Sequence, residues 1–334
     1  MGMIHPDRSS TQHPHQARRQ RMPHDHAHSP GADCGHGHGH GHVPARFDRA
    51  MAIGVALNAA FVVTEVGAGF WAGSLALLAD AGHNAGDVVG LLLAWGANWL
   101  ARRPPSRRYT WGLRRSTIYA AFANAVLLLV ACGGIVWEAA HRLWSPEPVA
   151  GPTVIAVAAI GVVINTFTAL LFLRGHDDAN VRGAFLHMAA DAAVSLGVVV
   201  AGIAIAVTGA AWIDPVVSIA IAAAIVASTW GLFRESVDLA LDAVPRGIDP
   251  EAVAAALATL ENVSEVHDLH VWGASTSEIS LTAHLVTPGG ADRDAVLAAA
   301  QALARERFRV AHATIQIEGV AAGDACPQRP ADAL

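Results

Sequence analysis

Four side chains carry the most specific chemistry in the sequence. His83 and Asp87 are four residues apart, and so are His187 and Asp191. At this spacing two side chains share one face of a helix. Each segment then presents one imidazole nitrogen and one carboxylate oxygen. Two such faces opposed supply four N/O ligands, the number that a tetrahedral Zn²⁺ takes. Both pairs lie in apolar surroundings. An Asp at the centre of a membrane helix costs about 2.5–3.5 kcal/mol, so two of them must be neutralised. One divalent cation does so, and so do two protons. A site that alternates between these states can move metal one way and protons the other. His adds titration near neutral pH, its unperturbed pKa being about 6.5. One pair alone would serve equally well as a hydrogen-bonding device between helices. The same pair in a second segment argues for metal.

The surrounding elements follow from composition. The 334 residues are 53% hydrophobic and only 15% charged, with a net charge of -6, whereas soluble domains average about 25% charged. This excludes a disordered chain, a coiled coil, a nucleic-acid binder and most cytosolic enzymes, and predicts a polytopic helical membrane protein. A span needs about 20 apolar residues. Six stretches qualify, near 48–71, 75–101, 115–143, 150–174, 181–208 and 212–234, within a membrane domain covering 47–235. Gly and Pro mark the breaks. The basic residues are all Arg, and the loops after the second and fourth spans hold most of those between spans (Arg102, Arg103, Arg107, Arg108, Arg114, Arg115; Arg174, Arg182). By the positive-inside rule these loops face the cytosol, and so do both termini.

Residues 1–46 are a polar tail expected to be disordered. The run Cys34-Gly-His36-Gly-His38-Gly-His40-Gly-His42 is a flexible chelator by composition; metal capture and dispensable low-complexity sequence are both open for it. From 236 to 320 the composition is that of a soluble domain. Asp249-Pro250 opens a helix, Val263–Trp272 and Ile279–Thr287 alternate as strands, Asp292–Phe308 is a second helix and Ala311–Glu318 a third strand. The α-β-β-α-β order predicts a split α+β layer. Residues 321–334 read as a loose tail. The three Cys (Cys34, Cys132, Cys326) are too few and too scattered for a disulfide framework.

Other ionisable residues fall in or beside the spans. Asp80, one turn before His83, is open as a spare ligand, a proton carrier or a packing residue, the last two being preferred, and Glu65 is left open. Glu138 lies near the outer surface, and Asp214 reads as interfacial. Asn58 and Asn165 read as polar links between helices. His176-Asp177-Asp178 reads as a turn and helix start.

These residues carry a resemblance. Ser74-Leu-Ala-Leu-Leu-Ala-Asp80-Ala-Gly-His83-Asn-Ala-Gly-Asp87 and His187-Met-Ala-Ala-Asp191 resemble the second- and fifth-span motifs of the cation diffusion facilitator family. Val266-His267-Asp268-Leu269-His270-Val271-Trp272 and His312-Ala-Thr-Ile-Gln-Ile-Glu318 resemble the cytosolic domain of its bacterial zinc-exporting branch. The resemblance implies six spans in the cell (inner) membrane, a cytosolic ferredoxin-like α+β domain, a homodimer and proton-coupled export of divalent metal. It implies no cofactor; Zn²⁺ is the substrate, with Cd²⁺ or Co²⁺ as further cargo, and a regulatory ligand. His at the first tetrad position accompanies zinc, in line with the preference of Zn²⁺ for imidazole and of Mn²⁺ for oxygen. His267, His284, His312 and Glu318 are the candidates for a cytosolic metal site. His267 is preferred to His270, since residues three apart on a strand face opposite ways. Relatives often carry a His near Val244–Asp249, where this chain has Arg246 and Gly247.

Two other classes of function compete with this one. An intramembrane zinc protease needs His-Glu-x-x-His on a helix, and no such run occurs. A membrane metal sensor or buffer would bind zinc without moving it, but has no need of a site at membrane depth.

Overall fold

A computed structural model describes residues 45–172 and 179–329. The His-rich run, His176-Asp177-Asp178 and residues 330–334 lie outside the described residues. Six long helices come first: α1 Ala45–Ala72, α2 Leu75–Ala101, α3 Ser116–Trp144, α4 Gly151–Phe172, α5 Ala179–Thr208 and α6 Ile213–Ala240. Their ends fall at the Gly and Pro breaks read from the sequence. Helices α3 to α6 each contain a stretch long and apolar enough to cross a membrane. Helix α2 is continuous, but Asp80, His83 and Asp87 interrupt its apolar sequence. Exposed Trp residues gather toward both ends of the bundle, with Trp71, Trp144 and Trp212 at one and Trp95, Trp99 and Trp230 toward the other. This is the pattern of aromatic belts at two membrane surfaces.

Helix α2 is the hub, packed on α1, α3, α5 and α6, while α4 packs on α5 and α1. Small side chains permit these approaches: Ala72, Ala76, Ala79, Ala158 and Ala222 are buried with Leu77, Val154 and Val198. Gly86, between His83 and Asp87, faces Leu128 of α3 so closely that a Cβ would sit 2.2 Å from its Cδ2.

The start of α2 is fixed from outside its own sequence neighbourhood. Ser74 caps it, accepting from Leu77 N–H at 3.1 Å. Asp214 of α6 then accepts from Ser74 Oγ at 2.5 Å, Leu75 N–H at 2.7 Å and Ala76 N–H at 3.2 Å. The first N–H groups of a helix have no partner within it, and a carboxylate there also meets the positive end of the helix dipole. Asp214 is therefore a buried cap given by one helix to another, and the interfacial reading of it is corrected. Arg142 adds a second tie by donating to the Gly73 carbonyl at 2.6 Å. It also bonds Glu138 at 3.1 Å, which places that acid in an i, i+4 pair.

The C-terminal part holds α7 Pro250–Ala258, β1 Glu265–Gly273, β2 Ile279–Thr287, α8 Arg293–Phe308, β3 Val310–Gly319 and α9 Val320–Asp324. Asp249 and Asp292 cap α7 and α8. The sheet order is β1-β2-β3, with β1 antiparallel and β3 parallel to β2. Val253, Leu257, Leu281, Leu285, Val296 and Ala300 form its core. A bulge between His267 and His270 leaves Asp268 at φ 49°. Residues 321–329 are not a loose tail: α9 and the turn after it pack across β3 and β2, and Arg329 pairs with Glu265 of β1 at 2.6 Å. This part meets the helical bundle through the α2–α3 loop, where Arg114 pairs with Glu278 and Arg115 with Asp242.

Asp214→Ala leaves two buried helix N–H groups without an acceptor. It is expected to destabilise the chain by about 2 kcal/mol or more, read as a lower unfolding midpoint in detergent, with Asp214→Asn recovering part of the loss.

Candidate metal centres

The i, i+4 spacing on α2 and α5 turns both His/Asp pairs toward each other. They meet crosswise. His83 Nε2 is 3.2 Å from Asp191 Oδ1, and His187 Nε2 is 3.0 Å from Asp87 Oδ2 and 3.8 Å from Asp191 Oδ2. The imidazoles stand edge to face with centroids 5.9 Å apart. Ligand atoms of His83, Asp87 and Asp191 lie within 4.8 Å of one another. Tetrahedral zinc with bonds near 2.0–2.1 Å separates its ligand atoms by about 3.3 Å, so the cluster needs only small side-chain shifts to close on an ion. His83 Nδ1 and Asp191 Oδ2 are buried without a hydrogen-bond partner.

Exposure is graded across the cluster. Asp191 is 1% and His83 16% exposed, whereas Asp87 is 24% and His187 45% exposed. Asp87 lies nearer the end of α2 and His187 nearer the start of α5. These helix ends are on the side of the C-terminal domain, so the cluster is more open on that side.

A second cluster lies on the sheet. His267 on β1 is registered opposite His284 on β2, and β3 brings Gln316 beside His284 with Glu318 two residues on. His267 Nε2 is 3.4 Å from Glu318 Oε2, and His284 Nδ1 is 3.2 Å from Glu318 Oε1. Cys326 Sγ is 3.6 Å from His284 Nδ1. The four side chains offer N, N, O and S atoms within 4.8 Å of one another. His267 and Glu318 are buried, and both ring nitrogens of His267 and Glu318 Oε2 lack hydrogen-bond partners. Gly323 lets the last turn approach, since a Cβ there would meet Val286 at 2.8 Å.

Sequence reasoning missed Cys326, because a lone Cys after the last strand has no periodic signal. His312 is not brought to this cluster. It shares strand parity with Glu318, but six residues of strand separate them by about 20 Å. His312 instead packs against Trp111, with centroids 4.7 Å apart, and bonds Thr314. His270 is on the exposed side and bonds Asp268 at 3.0 Å.

Comparison with known proteins gives matches over almost all of the described chain. Residues 51–239 match the family model of the cation efflux transmembrane domain, and 245–320 that of the cation efflux protein cytoplasmic domain. Zinc transporter ZitB of Escherichia coli (strain K12) is 37% identical over 273 residues, covering 81% of this chain and 87% of that protein. The cadmium, cobalt and zinc/H(+)-K(+) antiporter of Bacillus subtilis (strain 168) is 29% identical over 279 residues, covering 81% and 88%. Among solved structures, the metal-bound C-terminal domain of the CzcD transporter from Cuprividus metallidurans is 29% identical, covering 21% of this chain and 99% of that one with a TM-score of 0.21.

Cys326→Ser replaces a soft thiolate donor by a weak hydroxyl. Zinc titration of the purified protein is expected to show the cytoplasmic-domain affinity falling about tenfold or more. An unchanged isotherm would contradict a ligand role for Cys326.

Proposed function

Given that the chain belongs to the cation efflux (cation diffusion facilitator) family, we propose that it is a secondary transporter that exports zinc in exchange for protons. The observation that carries this reading is the crosswise meeting of the two His/Asp pairs, His83 with Asp191 and His187 with Asp87. His83, Asp87, His187 and Asp191 hold one divalent ion between α2 and α5. Two carboxylates match its charge, and the imidazoles favour Zn²⁺, Cd²⁺ and Co²⁺ over harder ions. The relatives, a zinc transporter and a cadmium, cobalt and zinc/H(+)-K(+) antiporter, support this class of cargo.

Both termini and the C-terminal domain face the cytosol, and the bilayer is that of the cell (inner) membrane. The greater exposure of Asp87 and His187 on the domain side fits a cytosol-facing entry state. Cytosolic zinc meets largely deprotonated ligands and binds. Once the site faces the more acidic side, protons compete for the same nitrogens and oxygens, because a ligand must lose its proton to coordinate. Zinc leaves, and the protonated site returns. A return with two bare carboxylates is slow, since uncompensated charge is costly at that depth. The second cluster, His267, His284, Glu318 and Cys326, binds zinc as a regulatory ligand in a homodimer of the cytoplasmic domains.

A sensor that only binds zinc predicts binding without flux. Asp87→Ala removes one ligand and half of the balancing charge. In everted vesicles its zinc flux is expected to fall about a hundredfold or more, with the protein inserted at the normal level. Normal flux in that variant contradicts the assignment, and a wild-type chain that binds but never moves zinc supports the sensor.

A further inference from the structure

A further polar cluster sits one turn from His83 and is distinct from the four tetrad side chains. Glu65 of α1 and Asp80 and Asn84 of α2 have no exposed surface. Asn84 Nδ2 donates to Glu65 Oε2 at 3.2 Å, and Ser195 Oγ of α5 donates to Asp80 Oδ2 at 2.7 Å. The two carboxyl groups interact electrostatically where α1 packs on α2. Their remaining oxygens, Glu65 Oε1 and Asp80 Oδ1, have no partner, and neither has Asn84 Oδ1. Two ionised acids facing each other in a low dielectric repel, and such pairs hold a proton between them. A proton on Glu65 Oε1, donated to Asp80 Oδ1, supplies both lone oxygens at once and halves the charge of the pair.

We propose that Glu65 and Asp80 form a proton-binding site separate from the metal tetrad, with Glu65 carrying the proton in this state. Glu65 hydrogen-bonds to none of the four tetrad residues among the described residues. The titratable groups around it are Asp80, with His83 and Asp87 further along α2, and Asp191 and His187 on α5. Helix α4, which also packs on α1, has no titratable side chain in Gly151–Phe172.

Two hydrogen-bonded side chains connect this site to the tetrad: Asn84 follows His83, and Ser195 lies one turn after Asp191. A divalent ion bound beside them favours the ionised form of the pair, so metal entry expels its proton. The pair thus adds to the protons that the tetrad itself exchanges. This coupling rests on the tetrad reading, whereas the proton site does not.

Infrared spectroscopy of the full-length, metal-free protein in detergent separates the two. A protonated-carboxyl C=O band is expected at neutral pH. It should persist in Asp87→Ala and be lost in Glu65→Gln, which keeps the shape and the hydrogen bonds without the acid. Asp80→Asn, which changes the partner of the acid proton, should shift the band, and this variant serves if Glu65→Gln does not fold. Adding zinc should remove the band from the wild type, with more protons released per zinc than Glu65→Gln releases. The absence of the band in the wild type, its survival in Glu65→Gln or an unshifted band in Asp80→Asn overturns the proposal. So does a band that vanishes when K⁺ replaces choline, which would make the pocket a monovalent-cation site. A band that zinc leaves untouched, with equal proton release from both proteins, overturns the coupling. A chain that keeps the band but moves no zinc sinks the transport reading and leaves the proton site standing.

Discussion

Electroneutrality at membrane depth is the constraint on which the rest of the structure depends. Asp87 and Asp191 lie on largely apolar helices, and neither acid forms an ion pair with an Arg among the described residues. An isolated carboxylate there would take up a proton or find a cation. The crosswise imidazoles give each acid a partner that is neutral or positive according to its own proton. Two protons or one divalent ion bring such a cluster to the same net charge, and the proposed exchange rests on that equivalence.

The fold serves this constraint by placing α2 and α5 face to face while leaving them separable. Helix α2 is anchored at its start by Ser74, Asp214 and Arg142, and along its length by the approach at Gly86. Helix α5 is held chiefly by α4, and its contact with α2 is sparse beside the α4–α5 contact. The α4–α5 pair also touches α1 and α6, and the ligands lie where α5 meets α2.

Much of this was legible in the sequence, and for stated physical reasons. Hydropathy and Gly/Pro breaks located the helices because a bilayer imposes a length on them. The i, i+4 spacing put each His/Asp pair on one helix face because a helix has a fixed period, and the two faces meet. What depends on partners far away in the chain was not legible. Asp214 looked interfacial because the helix it caps begins 139 residues earlier. Strand parity put His312 on the face of Glu318 but could not give the distance along the strand. Cys326 lay in a stretch without periodicity, and only the fold shows the last turn returning to His284. Glu65 was undecided because its meaning lies in two oxygens left without donors.

The central claim is that zinc and protons occupy one site in alternation. Zinc uptake into everted vesicles, with and without an acidic lumen, tests it most directly when luminal pH is followed at the same time. The account predicts that uptake needs or is strongly accelerated by the acidic lumen, that a protonophore slows it, and that zinc addition alkalinises the lumen. Zinc accumulating against its gradient equally well without a pH difference, and with no accompanying proton movement, would contradict it.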